Sequence, residues 1–200
     1  MRGWIGCGVA ALVLLVIVLS VVGWGVGVYN GLVRSQVTVD TAWSQVQNVY
    51  QRRMDLIPNL VETVKGAANF EKSTFTEVTE ARAKASQMVL TPELLNDPAR
   101  FRQFQQAQGE LSGAISRLLV TVENYPQLTA SQNFRELQSQ LEGAENRIAV
   151  ERRRFNETVQ AYNTAIRVFP ASMLAGLFGF QPKAFFEAEP GAEKAPKVKF

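Results

Sequence analysis

The 200-residue sequence contains no histidine and only one cysteine, Cys7. Without histidine there can be no Ser–His or Cys–His pair and no imidazole ligand for a metal ion. A single thiol forms neither an intrachain disulfide nor a cysteine-rich metal site. The glycines beyond the N-terminal apolar stretch are isolated, so no phosphate-binding glycine loop is present. We therefore predict a protein that is not an enzyme and that uses no metal or cofactor.

The chain also lacks a strong excess of charge. It has 21 Lys and Arg against 18 Asp and Glu, which leaves a formal net charge of +3. The residues of its one triple-basic run, at 152–154, would point about 100° apart on a helix and so form no single patch. Because nucleic-acid binding needs a clustered basic face, we expect no nucleic-acid partner.

The sequence does contain an uncharged apolar stretch from residue 3 to residue 28. This stretch exceeds the roughly 20 residues that a bilayer core requires. A cleaved signal peptide would have an apolar region of about 7–15 residues and a small-residue cleavage site, whereas here residues 21–25 continue the stretch. We predict a retained single-pass anchor over residues 1–28, with the lipid bilayer as a partner. The aromatic residues that would flank it at the membrane interfaces are Trp4, Trp24 and Tyr29.

Directly after the anchor, apolar residues recur every three or four positions from Tyr29 to Met88. This is the a/d repeat of a helix that buries one stripe against partner helices. The repeat keeps its phase across Pro58, so we predict one helix roughly 90 Å long that is kinked at Pro58 and not reversed there. Because the later helices are too short to cover it, its membrane-proximal seam is a candidate interface. The residues of that seam are Leu32, Val39, Trp43, Val46 and Tyr50.

Two further long helices are predicted. Thr91-Pro92 and Asp97-Pro98 both have the pattern of a helix start, which indicates a short helical corner and then a second long helix. That helix should end at Tyr125-Pro126, because the residue before proline is disfavoured in the α region. A third helix should begin near Thr129, through a capping box or with a neighbouring serine as the cap, and end at Phe169-Pro170.

The predicted fold class is therefore all-α: an N-terminal transmembrane helix, then an antiparallel bundle of three long helices, the first kinked at Pro58, plus short helical pieces. The bundle domain should cover residues 29–186. Residues 187–200 are rich in Glu, Lys, Ala, Pro and Gly, and we expect a disordered tail there. The apolar, glycine-broken segment 173–186 is either a strap packed on the bundle end or a segment that contacts the membrane or a partner.

Arg53 falls on the apolar seam of the first helix. A buried guanidinium costs desolvation free energy unless a carboxylate meets it, and the candidate partners on the third helix are Glu145, Glu151 and Glu142. Asn156 and Asn163, seven residues apart, share a helix face and could complete a polar layer. We interpret this layer as a device that fixes helix register, with a ligand or anion site between helices as the alternative. Its candidate members are Arg52, Arg53, Asp55, Asn59, Glu145, Asn156 and Asn163.

Several motifs in this chain resemble those of the LemA family. They are Gln51-Arg52-Arg53-Met54-Asp55-Leu56-Ile57-Pro58-Asn59-Leu60-Val61, Tyr125-Pro126, Glu145-Asn146-Arg147-Ile148, Tyr162-Asn163 and Phe169-Pro170. The likeness runs from the anchor to about Phe186. It implies a bacterial single-pass membrane protein with a helical-bundle domain, and it implies no particular activity.

We predict a membrane-anchored, non-enzymatic scaffold or assembly protein whose long helix associates with copies of itself or with a membrane-protein partner. The alternative is a sensory or ligand-binding bundle with its pocket around Arg53. The resemblance implies the bacterial cytoplasmic (inner) membrane. A short basic N-terminus followed by a large domain favours a bundle that lies outside the cytoplasm.

Overall fold

The computed structural model describes residues 2–66, 71–88 and 90–187, with side chains described from residue 11 onward. Within these ranges all regular secondary structure is helical, in agreement with the predicted all-α class. The elements are α1 (Arg2–Lys65), α2 (Lys72–Ser86), a 3-10 helix (Pro92–Asn96), α3 (Pro98–Val122), α4 (Pro126–Thr129), α5 (Gln132–Ala165) and α6 (Ala171–Leu177).

The first element, α1, is one continuous helix of 64 residues that contains Pro58 without reversing. Among the described residues it holds the one stretch that is long and apolar enough to cross a membrane, and none of that stretch is buried against the rest of the chain. Exposed apolar side chains follow one another there from Leu12 to Val26. The candidate membrane span and the bundle are thus joined with no linker between them.

The predicted continuation of this helix to Met88 is wrong, because α1 ends at Lys65 and α2 folds back along it. The ammonium group of Lys65 lies 5.7 Å from the centroid of the Phe75 ring. Further along α2, the Nε of Arg82 donates to the carbonyl oxygen of Met54 at 3.1 Å. The contacts move back along α1 as the chain advances along α2, so the two helices are antiparallel.

The apolar repeat could not reveal this reversal. Val78 and Ala85, two of the predicted seam positions of α2, are buried just as they would be in a continuous helix, whereas Thr74 and Ala81 are half-buried. The phase of a repeat identifies the buried face but says nothing about the element on which that face packs. Ala67, another predicted seam position, lies outside the described residues.

Helix α3 runs antiparallel to α2 and therefore in the same direction as α1. Lys84 near the end of α2 contacts Glu110 in the middle of α3 at 2.6 Å, whereas Glu77 near the start of α2 contacts Arg117 further along α3. The first long helix and this one were expected to be antiparallel. They are parallel, because the chain reverses once more, before α2.

Helix α5 packs antiparallel along α1. Trp43 of α1 lies 5.4 Å from the ring of Phe155, and Arg53 further along α1 contacts Glu145, which comes earlier in α5. In the described part of the chain, the bundle therefore contains four longer helices, α1, α2, α3 and α5, in an up-down-up-down order. The apolar repeat predicts α1 and α2 as one continuous helix.

The seam of α1 is buried inside the chain and does not form an exposed interface. Its five predicted interface residues are all at most 4% exposed: Leu32, Val39, Trp43, Val46 and Tyr50. Trp43 is surrounded by the rings of Phe101, Phe104 and Phe155 at 5.4–5.8 Å. The expectation of an exposed membrane-proximal seam is wrong, because α5 runs towards the anchor and, together with α6 and the segment after it, covers the seam.

The helix starts follow the predicted corner only in part. Asp97 caps α3, since its Oδ1 accepts hydrogen bonds from the backbone N–H groups of Ala99 and Arg100 at 3.0 Å. The predicted capping box at Thr129 is absent, because Thr129 ends α4 and its hydroxyl donates to the carbonyl oxygen of Pro126. Helix α5 begins one residue after Ser131, which makes no side-chain cap.

After α6 the chain turns at Gly179, whose positive φ of 74° favours glycine. Residues 181–187, which we call the strap, then run back over the bundle without regular secondary structure. Phe186 of the strap is buried in the aromatic cluster, 5.0 Å from the ring of Phe101. The strap accounts for the second half of segment 173–186. The predicted disordered tail lies, from residue 188 on, outside the described residues.

Candidate functional site

The strongest concentration of buried polar chemistry is centred on Arg53, which is 1% exposed. Its Nη1 donates to Ser112 Oγ and to Glu145 Oε1, both at 2.6 Å, and its Nη2 donates to Gln108 Oε1. The guanidinium also lies over the ring of Tyr50, with 5.2 Å between its central carbon and the ring centroid. We call these five residues the Arg53 cluster.

The cluster links three helices, because Arg53 projects from α1 towards α3 and α5. Ser112 and Gln108 lie four residues apart on α3 and so share one face of it. The Glu145 side chain is 42% exposed, which places the carboxylate at the rim of the cluster and the guanidinium in its interior. Within the cluster, both terminal nitrogens of the guanidinium bind groups of the chain itself.

Three other predicted members of the polar layer lie elsewhere. Arg52, Asp55 and Asn59 are exposed on α1, and Asp55 accepts a hydrogen bond from Gln51 at 2.7 Å. Successive residues on a helix point about 100° apart, so these three fall on faces that turn away from Arg53. Arg52, Asp55 and Asn59 therefore do not belong to the polar layer around Arg53.

Asn156 and Asn163 do not approach Arg53 but hold the strap on α5. The side-chain amide of Asn156 donates to the carbonyl oxygen of Phe186 and accepts from its N–H, both at 2.9 Å. Asn163 makes the same pair of bonds with Lys183, at 2.9 and 2.8 Å. Seven residues of α-helix rise about 10.5 Å and three extended residues span about 10 Å, so the spacing of the two asparagines matches that of their partners.

Further polar contacts fasten the strap. The ammonium group of Lys183, which is only 8% exposed, donates to Asn96 Oδ1 of the 3-10 helix at 2.7 Å. The hydroxyl of Tyr162 donates to the carbonyl oxygen of Gln181 at 3.1 Å. Burial raises the pKa of Tyr162, and the charge of Asp40 adds to this effect.

Sequence reasoning missed Ser112, Gln108 and Lys183. Gln108 interrupts the apolar series of the second predicted helix, and a glutamine at a buried position is a signal that a polar partner faces it. The same holds for Lys183 in an otherwise apolar segment. In the described residues there is no group of three or more Cys, Asp or Glu side chains that could hold a metal ion.

The predicted membrane flanks differ in their surroundings. Trp24 is 45% exposed. Tyr29 is 38% exposed, and its ring packs against Phe178 at 4.8 Å and Phe180 at 5.8 Å. The side chain of Trp4 lies outside the described residues.

A helical bundle that continues directly from an apolar helix of membrane length defines a class of all-helical proteins with a candidate membrane anchor. The model of the LemA family matches residues 42–200, and the chain belongs to the LemA family.

The chain is also similar to several individual proteins. Magnetosome protein MamQ of Magnetospirillum gryphiswaldense is 27% identical over 94% of this chain and 76% of its own length. Magnetosome protein MamQ 2 of Paramagnetospirillum magneticum is 26% identical over the same shares. Protein LemA of Metamycoplasma hominis is 23% identical over 82% of this chain and 70% of its own length.

Proposed function

We propose that this protein is a non-enzymatic scaffold of the bacterial inner membrane, which assembles with copies of itself or with a membrane-protein partner. The observation that carries this proposal is that both terminal nitrogens of the Arg53 guanidinium bind side chains of the chain itself, while its Nε has no partner. Arg53 is the most deeply buried charged residue of the described chain. It binds Glu145, Ser112 and Gln108, and so it serves to hold α1, α3 and α5 together. A function of the bundle would then use its outer surfaces, which are available for contacts with other proteins.

The continuity of α1 also supports a scaffold. A 64-residue helix fixes the bundle directly on its membrane segment, as a part that positions other proteins at a membrane requires. Two of the relatives are named after the magnetosome, a cellular structure and not a reaction. That naming is compatible with a structural role for this chain.

Because the seam of α1 is buried, assembly requires another surface. The apolar anchor has exposed side chains on all sides from Leu12 to Val26, so it is the first candidate. Transmembrane helices associate through packing and close backbone approach. The outer faces of the bundle are the second candidate.

The test is the mass of the full-length protein in mild detergent, measured by light scattering beside that of residues 29–200. This fragment keeps every buried apolar side chain of the described core, from Leu32 to Phe186. We expect a discrete oligomer for the full-length protein and a monomer for the fragment, which would assign assembly to the anchor. Monomers in both preparations would overturn self-association.

The second candidate function is ligand binding beside the Arg53 cluster. A cleft of about 370 Å³ opens between α1, α2 and α3, and its lining includes Tyr50 and Gln108 of the cluster together with Arg82. Titration calorimetry with inorganic phosphate tests this function. Saturable binding by the full-length protein that is lost in Arg82→Ala would favour the ligand-binding bundle over the scaffold.

We also propose that the bundle lies outside the cytoplasm, as the short basic N-terminus favours. Val120 is 63% exposed on α3 and provides a site for labelling. In a Cys7→Ser background, Val120→Cys should react with a membrane-impermeant thiol reagent in spheroplasts. Reaction only after lysis would place the bundle in the cytoplasm.

A further inference from the structure

Large apolar side chains are exposed in unusual density around α6. Beyond Tyr29, the described chain has only one exposed Phe, Met or Leu side chain outside this region, namely Phe185. The others are Phe169 at 76% exposed, Met173 at 68%, Leu177 at 77% and Phe178 at 55%. Contiguous apolar surface of this kind marks a contact with a partner or a membrane. We call these four residues the α6 patch.

Two of the four patch residues lie within α6, on one side of the helix. Met173 and Leu177 are four residues apart and so lie on the same face of α6. Ala175, between them in sequence, is 2% exposed and faces the bundle core. One side of α6 thus packs on the bundle core, and the opposite side is exposed.

The position of α6 identifies what the bare side meets. Phe178 contacts the ring of Tyr29 at 4.8 Å, and Tyr29 lies only five residues beyond Trp24 on α1. Five helical residues rise about 7.5 Å, which is about the thickness of the headgroup region in one leaflet. Phe178 of the patch therefore lies about one headgroup layer beyond Trp24, measured along α1.

The charges nearby agree with this placement. From residue 158 to residue 186 the chain has no Asp or Glu, while Arg167 lies exposed just before the patch. Arg34, also exposed, lies five residues beyond Tyr29 on α1. Basic side chains beside a bare apolar face suit the anionic surface of a bilayer.

We propose that α6 is an interfacial foot of the bundle, whose patch inserts among the lipids of the leaflet from which α1 emerges. The bundle then contacts the membrane at two places, the anchor and α6. This contact requires no second protein and is independent of the assembly proposed above.

The experiment uses the full-length protein in vesicles of phosphatidylcholine and phosphatidylglycerol. A nitroxide is attached at Met173→Cys or Leu177→Cys in a Cys7→Ser background, and its collisions with oxygen and with a water-soluble nickel complex are measured. Both positions are more than two-thirds exposed, so the label displaces no packed side chain. The matched control is Val120→Cys, a position that is 63% exposed near the end of α3. Its neighbours Leu118 and Val122 belong to the core cluster that lies away from the anchor.

We expect a ratio of oxygen to nickel collisions at both α6 positions at least several-fold above that at the Val120 control, because oxygen concentrates in lipid and the nickel complex does not. A ratio equal to the control would show that the patch faces water and would overturn the proposal. Low collision rates with both reagents would show that a protein surface covers the patch, and this outcome would overturn it as well.

Discussion

Arg82 of α2 supplies a hydrogen bond that Pro58 removes from α1. In a regular helix the carbonyl oxygen of Met54 would accept from the N–H of residue 58, and proline has none. The Nε of Arg82 donates to that same oxygen at 3.1 Å. The helix therefore passes its proline with the freed carbonyl group satisfied by the neighbouring helix.

This relationship predicts an energetic coupling between the two positions. Arg82→Ala should lower the free energy of unfolding of residues 29–200 by about 0.5–1.5 kcal/mol, the usual contribution of one hydrogen bond. In a Pro58→Ala background the restored N–H binds Met54, so the same substitution should cost clearly less. Urea unfolding of the four proteins gives the coupling free energy. The matched control is Arg117→Ala, whose side chain binds Glu77 and should show the same cost in both backgrounds. Coupling near zero would mean that Arg82 does not replace the missing donor.

Removal of the Glu145 carboxylate should destabilise the bundle moderately. The loss of one partner from a buried ion pair costs about 3–5 kcal/mol, but the Glu145 side chain is 42% exposed, and Arg53 keeps Ser112 and Gln108. We therefore expect Glu145→Ala to lower the free energy of unfolding by about 1–2 kcal/mol. Glu142→Ala, an exposed site on the same helix that contacts Gln138, is the control and should stay within about 0.5 kcal/mol. Equal effects of the two substitutions would contradict a structural role for the ion pair.

The two asparagine clamps should control local opening of the strap. Asn156→Ala and Asn163→Ala each remove a donor and an acceptor from one strap residue, at a cost of about 1–2 kcal/mol, or on the order of tenfold in the opening equilibrium. Hydrogen exchange at the N–H groups of Lys183 and Phe186 should accelerate by that factor. Asn146→Ala, an exposed asparagine of α5, should leave both rates unchanged. Unchanged rates in the clamp variants would show that other contacts hold the strap.

Tyr162 should make the bundle sensitive to alkaline pH. Because burial raises its pKa in the folded state above the value of about 10 for an exposed phenol, folding favours the protonated form. The stability that this provides is complete below pH about 10 and is lost as the pH rises through the folded-state pKa. Tyr162→Phe lacks the ionisable group, so the stability difference between wild type and variant should shrink from pH 8 to pH 11. An unchanged difference in urea unfolding at the two pH values would contradict the shift.

The sequence predicted which face of each helix is buried better than it predicted the helix on which that face packs. Burial of Val39 and Trp43 follows from the apolar period, which depends on neighbours in the same helix. The reversal after Lys65 does not, since Val78 keeps the same phase whether α2 continues α1 or returns along it. The connection that decides between the two is short and has no strong turn pattern apart from Gly66.

The candidate site divides in the same way. A buried guanidinium demands a carboxylate, and the structure brings Glu145 to Arg53. The asparagines at 156 and 163 demand partners too, but an amide pairs equally well with side chains and with a peptide group. That their partner is the backbone of the strap depends on how the chain returns after α6, a tertiary feature that no local pattern encodes.

The absence of a joint in α1 has a mechanical consequence. A helix that meets a thinner or thicker bilayer responds by changing its tilt, and here the tilt cannot be absorbed before the bundle begins. From Trp24 to Lys65 the helix extends about 60 Å, so a lean of 10° would carry its far end sideways by about 10 Å. If α1 spans a bilayer, a change in its tilt therefore becomes a sideways displacement of the outermost part of the bundle, to the extent that the second contact at α6 permits it.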